Sequence, residues 1–184
     1  MRSVDDRNIL DQFCIDFATI VEKHTDYIVV SGFVAISSGR ARGTEDIDMI
    51  VRPLEEDLFE GLHNDFLAHG FVCMQSGDIK EIYSYLKEHL SVRYTRRNAP
   101  IPEMEFKFAK DELDEYQLKT RTKLPLTGLP LWFSNINVNV AFKEFYLKSD
   151  KDLEDARHLR IVYEELIDEN EIQYVVELIK RCRL

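Results

Sequence analysis

The stretch "SGRARGTEDIDMIV", residues 38–51, joins a basic loop flanked by glycines to an acidic run that is otherwise apolar. Alternate residues of a β-strand share a face, so a strand here would turn Ile47 and Met49 toward a core. Asp46 and Asp48 would then lie on the opposite face, about 7 Å apart at Cα and able to converge on one cation. A divalent cation would relieve their mutual repulsion. The alternative is an acidic strand face that is only solvated.

Two features upstream favour a phosphate site beside these carboxylates. Ser31 and Gly32 lie between a short apolar strand, "DYIVV", and a short helix, where small residues let backbone amides approach a phosphate. Arg40 and Arg42 supply positive charge in the loop just before the acids. A small-residue turn, a basic loop and an acidic strand therefore follow one another in the order that a metal–triphosphate site needs.

A third carboxylate comes from a later segment that also alternates with period two. "LSVRYTR" and "EMEFKFAK" are joined by "RNAPIP" and predict a β-hairpin. In the second strand Glu105 and Lys107 face away from the apolar side chains, and Glu105 is the candidate metal ligand. Glu103, near the start of the strand, is the less favoured choice. A surface strand with two solvated charges is the alternative.

The composition restricts the class of protein. The chain has 184 residues, 45% of them hydrophobic, and a net charge of -10, so as a whole it repels nucleic acid and anionic membranes. Its three cysteines are scattered and odd in number, which favours a reducing cytoplasm. The N-terminus lacks an apolar signal core, and no run approaches the length of a membrane span.

Strand patterns cluster before residue 134 and helical patterns follow it. The prediction is therefore an α+β fold, with an α/β core over residues 1–133 and a C-terminal helical segment over residues 134–184 packed on that core. A long helical tract begins after Ser134.

The run "VSGFVAISSGRARGTEDIDMIV" resembles the signature of the nucleotidyltransferase superfamily, which includes polymerase-beta-like enzymes. There a Gly-Ser or Gly-Gly turn precedes a short helix and an Asp-x-Asp strand; this chain has Ser-Gly at the turn. The resemblance implies a mixed β-sheet flanked by helices. It also implies catalytic Mg²⁺ (or Mn²⁺) held by Asp46, Asp48 and a carboxylate from a later strand, here Glu105.

The second distinctive stretch, "NVAFKEFYLKSDKDLEDARHL", resembles a motif of AbiEii-type abortive-infection nucleotidyltransferase toxins. In that motif a lysine precedes a Lys/Arg-Asp-x-x-Asp run. The resemblance implies that Lys143 contacts nucleotide phosphates and that Asp155, with Asp152 near it, organises the site. A surface helix with ordinary lysine–aspartate pairs is the alternative.

These resemblances imply transfer of a nucleoside monophosphate from an NTP such as ATP to a hydroxyl of tRNA, protein or a small molecule. Arg40, Arg42 and Lys143 would neutralise the phosphates. A toxin role implies a possible antitoxin partner, and no membrane partner is expected. The competing hypotheses are an inactive nucleotide-binding or partner-binding module on the same scaffold, and an oligomeric structural protein whose acids are ordinary surface.

Overall fold

The computed structural model describes residues 7–44 and 46–184. At its centre is a five-stranded sheet made of β1 (Tyr27–Val30), β2 (Asp46–Val51), β3 (Phe71–Cys73), β4 (Val92–Arg96) and β5 (Ala99–Phe108). The strands lie in the order β1-β2-β5-β4-β3, with β2 parallel to β5 and the other neighbouring pairs antiparallel. The sheet is therefore mixed, and the predicted hairpin of β4 and β5 is confirmed.

Helices flank the sheet. They are α1 (Ile9–Val21), α2 (Gly32–Ser37), α3 (Glu56–Ala68), α4 (Ile79–Lys87), α5 (Glu112–Lys119), α6 (Ile136–Ala141), α7 (Asp150–Val162) and α8 (Glu169–Arg183). The helices α1 to α4 precede or alternate with the strands in the chain, and the other four follow β5. Short 3-10 helices span Pro125–Thr127 and Glu164–Leu166, and Phe142–Leu147 forms a π-helical segment. The α+β fold with helices flanking a mixed sheet is thus confirmed.

Aromatic side chains fill the larger of the two apolar cores, on one face of the sheet. The ring of Phe17 on α1 stacks on Phe66 of α3 at a centroid distance of 4.3 Å. It meets Phe71 of β3 edge-on at 5.1 Å. Such arrangements suit the ring quadrupoles and add to the burial of apolar area. α1 begins at a capping box, in which Asn8 and Asp11 each accept a hydrogen bond from the other's backbone N–H.

The two faces of β2 differ as its alternation predicts. Ile47, Met49 and Val51 are buried in the main core. On the other face Ile50 packs in a small apolar cluster with Leu118 of α5. Because α5 covers only the C-terminal half of that face, the N-terminal half stays open and carries the acidic side chains.

The C-terminal helices pack into the same apolar core as the sheet, through residues that include Val138, Val140, Leu159, Val175 and Leu178. Backbone hydrogen bonds anchor the segment before α6 to β1: Val29 N–H donates to the carbonyl of Trp132 at 2.8 Å, and Ser134 N–H donates to that of Val29 at 3.0 Å.

The predicted helical tract is present but divided. Lys148 adopts a left-handed conformation with φ 58°, which ends the π-helical segment. Ser149 then caps α7 by accepting a hydrogen bond from the N–H of Asp152. Within the described ranges, no helix is both long and apolar enough to cross a membrane.

Candidate active site

Three of the predicted site carboxylates come together on the open half of the sheet. β2 and β5 are parallel neighbours, and their register places Asp48 opposite Glu105 and Asp46 opposite Glu103. Adjacent strands are about 4.8 Å apart, and paired residues point to the same face. Asp46, Asp48 and Glu105 are all partly buried. The alternation expected from sequence thus brings the Asp-x-Asp pair next to the later glutamate.

Neighbouring side chains orient these acids. The hydroxyl of Thr44 donates to Oδ1 of Asp46 at 2.6 Å. Arg93 on β4 lies opposite Glu105 in the strand register. Its guanidinium is 3.6 Å from Oε1 of Glu103 and 3.6 Å from Oε2 of Glu105. The alternation of "VRYTR" puts Arg93 on the face of β4 away from the core, between the buried Val92 and Tyr94.

Asp48 is the carboxylate most affected by this environment. Burial raises its pKa from 3.8 to about 6, and the adjacent Glu105 carboxylate adds to the rise. The positive charge of Lys107 and a hydrogen bond from Ser31 act in the opposite direction. A proton is therefore held more strongly at Asp48 than at an exposed aspartate, and the repulsion from Glu105 is the part of this effect that a shared cation would relieve.

The donor set suits a hard divalent cation that shares its ligands with a substrate. In the part of the chain that the structure describes, no group of three or more His, Cys, Asp or Glu side chains is placed so that together they could hold a metal ion. Mg²⁺ characteristically binds to one or two carboxylates, several waters and substrate phosphates. Asp46 and Asp48 fit that mode, with Glu105 beside them. Metal ligation by these residues stays a prediction.

The turn between β1 and α2 has an unusual backbone. Ser31 adopts φ 68° and ψ -139°, a region that strongly favours glycine. It stands where the superfamily signature has its first glycine. Its hydroxyl does not cap α2 but bonds to Asp48. A Cβ built on Gly32 would lie 2.0 Å from Nη2 of Arg42, so the absence of a side chain at Gly32 lets that guanidinium lie against the turn.

The predicted basic residues gather around one buried carboxylate. Asp155 is 0% exposed, and its Oδ2 accepts a hydrogen bond from Nζ of Lys143 at 2.8 Å. Its Oδ1 lies 3.3 Å from Nε of Arg42 and also pairs with Arg40. Lys143 is 1% exposed and also lies 3.4 Å from Asp152. The structure therefore unites the basic loop with the Lys-Asp-x-x-Asp stretch, although their separation in sequence exceeds one hundred residues.

A cavity of about 500 Å³ extends from the acids toward the C-terminal helices. Ser31, Asp48 and Glu105 lie at one end of it. Its far end contains groups that the sequence did not single out, namely Asp114, Gln117, Lys110 and Arg183. Nη2 of Arg183 lies 2.8 Å from Oδ1 of Asp114, so this pair is internally neutralised. The remaining wall comes from α6 and the π-helical segment, including Asn139, Phe142, Tyr146 and Leu147.

No protein-family model and no curated protein sequence matches the chain. Among solved structures, an antigenic nucleotidyltransferase-like protein from Paracoccidioides brasiliensis is similar at 16% identity and a TM-score of 0.55, over 94% of this chain and 88% of its own. The antibiotic-resistance factor ANT(2'')-Ia in solution is similar at 10% identity and a TM-score of 0.54, over 94% of this chain and 91% of its own. ANT(2'')-Ia in complex with adenylyl-2''-tobramycin gives 12% identity and a TM-score of 0.50, over 94% and 95%. At these identities the likeness shows that the chain has the fold of nucleotidyltransferases over almost its whole length.

Proposed function

We propose that this protein is a metal-dependent nucleotidyltransferase that moves a nucleoside monophosphate from an NTP to an acceptor hydroxyl. The observation that carries the proposal is the register of β2 and β5. It sets Asp48 directly beside Glu105, with Asp46 on the same face, at the mouth of a cavity. Two carboxylates held together in this way favour a shared cation; the pKa of Asp48 is raised first by burial and then by the charge of Glu105.

In this reaction the acceptor oxygen attacks the α-phosphorus, the bond to pyrophosphate breaks, and the hydroxyl proton passes to a base. A bound Mg²⁺ or Mn²⁺ would stabilise the charge on the phosphates and lower the pKa of the acceptor hydroxyl. Asp46 and Asp48 would hold that ion. Glu105, across the strand pair from Asp48, is placed to orient the hydroxyl and take its proton.

Arg40 and Arg42 would act on the triphosphate from the loop before β2, and Lys143, buried against Asp155, would hold that carboxylate in place. The contacts of the two arginines with Asp155 fix them in position, so little reorganisation is needed when a phosphate arrives. Arg42 is the better placed of the two, because its guanidinium lies against the turn at Gly32. Ser31 completes this phosphate site through its contact with Asp48.

ATP is the first donor to test, because the similar structure of ANT(2'')-Ia holds an adenylyl product, adenylyl-2''-tobramycin. That product also makes a small molecule the first acceptor class to test, ahead of tRNA or protein. The net charge of -10 agrees with this order. A toxin role with an antitoxin partner follows only from the AbiEii-like stretch and ranks below transfer to a small molecule.

The free thiols of Cys14, Cys73 and Cys182 suit a reducing cytoplasm.

An inactive nucleotide-binding module is the second candidate. The observation that favours it is the position of Arg93, whose guanidinium lies 3.6 Å from Glu103 and from Glu105 and places a positive charge beside the carboxylates without a metal. In such a module nucleotide would bind without being turned over.

The test is incubation with each labelled NTP, with and without MgCl₂ or MnCl₂, in the presence of small-molecule, RNA and protein acceptors. Wild type should transfer label only with the metal, and Asp48→Asn should abolish transfer while keeping the fold. Asp57→Asn, on the exposed first turn of α3, is the matched control and should behave as wild type. Equal turnover by Asp48→Asn would refute the assignment, whereas nucleotide binding without transfer by wild type would favour the inactive module.

A further inference from the structure

Beyond Glu105, the cavity wall carries two lysines that are not engaged in ion pairs. Lys107 and Lys110 both line the cavity, and within the described ranges neither has a carboxylate at ion-pair distance, although the charge of Lys107 acts on Asp48 and the charges of both lysines act on Asp114. The other cations of the cavity differ, since Lys143 is paired with Asp155 and Arg183 with Asp114. Positive charge is therefore available for a ligand at this end of the cavity.

These lysines lie on the opposite side of the acids from the cluster around Asp155. Lys107 follows Glu105 by two residues on the same face of β5 and pairs in register with Ile50. Two residues of strand place it about 7 Å beyond Glu105. Arg40 and Arg42, by contrast, belong to the loop that enters the N-terminal end of β2. The acids thus lie between two basic groups, one for a triphosphate and one for a second anion.

The same cavity has an apolar wall that is partly open to solvent. Tyr146 and Leu147, on the π-helical segment, are 39% and 45% exposed. Leu90, in the loop between α4 and β4, is 50% exposed. Phe142 also lines the cavity and is partly buried. A ligand with a flat apolar body would cover these side chains while its charged group reached the lysines.

We propose that the acceptor is a small hydroxylated organic anion, whose carboxylate or phosphate binds Lys107 and Lys110 and whose apolar body packs on the π-helical segment. This inference rests on the proposed function and names its acceptor class. The acceptor oxygen forms the new bond to the α-phosphorus, pyrophosphate leaves with the electrons of the broken bond, and the hydroxyl proton passes to Glu105. A polycation such as an aminoglycoside is disfavoured, because it would bring ammonium groups against two unpaired lysines.

The experiment compares three probes that share a phenyl ring and differ in charge with a polycation that lacks that ring. The probes are 4-hydroxyphenylacetate, its uncharged amide, phenyl phosphate and tobramycin, each titrated by calorimetry into the full chain with ATP measured separately. The charged acids should bind at least about tenfold more tightly than the amide, the scale of one hydrogen bond to a charged group. Whether the carboxylate or the phosphate binds better identifies the anionic group that the site prefers.

The variant Lys107→Gln/Lys110→Gln should lose this preference for the acids by about tenfold or more while its affinity for ATP changes by less than about twofold. Lys23→Gln/Lys80→Gln, which removes one exposed lysine from the turn after α1 and one from α4, is the matched control and should retain the preference. Circular dichroism on both double variants establishes that each is folded before binding is compared.

Three results would overturn the inference. They are equal binding of acid and amide by wild type, preferential binding of tobramycin, or a loss of ATP affinity in Lys107→Gln/Lys110→Gln that equals the loss for the acids. The last would assign the lysines to the nucleotide. If the proposed function is wrong instead, the outcome differs from these three. The protein would still bind the acids more tightly than the amide, but it would consume no NTP with any acceptor.

Discussion

Replacing Asp48 by asparagine should stabilise the folded protein at neutral pH, because the change removes a charge held in a partly buried site beside Glu105. The rise of its pKa from 3.8 to about 6 corresponds to about 3 kcal/mol, since each tenfold change in proton affinity is worth about 1.4 kcal/mol. Asparagine has nearly the same volume, so the packing of β2 is retained.

The sign of the effect follows from proton linkage. The folded-state pKa of Asp48 is raised, so the stabilisation from its bound proton is fully present below the unfolded pKa and is lost as pH rises through about 6. The advantage of Asp48→Asn should therefore be about 3 kcal/mol near pH 8 and only about 1 kcal/mol near pH 4.5. For a chain of this length, the larger figure corresponds to a rise in Tm of about 6–12 °C.

Urea denaturation of wild type, Asp48→Asn and the exposed control Asp57→Asn at both pH values measures these differences. Adding MgCl₂ near pH 8 should raise the stability of wild type more than that of Asp48→Asn, because a bound cation offsets the same repulsion. The reasoning is refuted if Asp48→Asn is no more stable than wild type near pH 8, or if its advantage is the same at both pH values.

Three further substitutions test the groups around the acids. Ser31→Gly should raise the free energy of unfolding by about 1 kcal/mol in urea titrations, because φ 68° and ψ -139° suit glycine; an unchanged midpoint would contradict strain at this turn. Asp155→Asn should destabilise the protein by about 3 kcal/mol or more, since it leaves Lys143 buried without its nearest carboxylate, and a loss below about 1 kcal/mol would argue against that pair. Gly32→Ala should displace the guanidinium of Arg42 and weaken ATP binding by about tenfold in calorimetry with little change in Tm, whereas unaltered affinity would exclude Arg42 from the phosphate site.

The local features of the acidic strand were predictable because side-chain direction in a strand depends only on position. Ile47 and Met49 lie in the core and Asp46 and Asp48 on the other face, as period-two alternation requires. The approach of Glu105 was expected from the superfamily resemblance, and the parallel pairing of β2 with β5 provides it.

The environment of the basic residues was not predictable in the same way. Lys143 was expected to contact phosphates directly, yet in the structure its ammonium group is buried against Asp155. That pairing depends on how α7 folds back on the π-helical segment that carries Lys143, across the turn at Lys148, and helical periodicity does not specify this contact. The same limit applies to Arg93, whose partner Glu105 lies on the next strand and is set by the hairpin register.

The contacts of α7 also imply that the site depends on the C-terminal helices for its assembly. Two contacts hold the end of α2. The ring of His158 lies 3.1 Å from the carbonyl of Ser38, and the hydroxyls of Ser38 and Tyr163 are 2.9 Å apart. The basic loop is held by Arg40, which donates to the carbonyl of Lys151 at 3.2 Å and pairs with the carboxylates of α7. Since the acids of β2 belong to the sheet and do not need α7, local unfolding of this helix would release the cations proposed to bind phosphate while leaving the carboxylates in register. Nucleotide affinity should therefore fall at lower urea concentration than the signal of the sheet, because the proposed phosphate site would be the less stable half of the candidate active site.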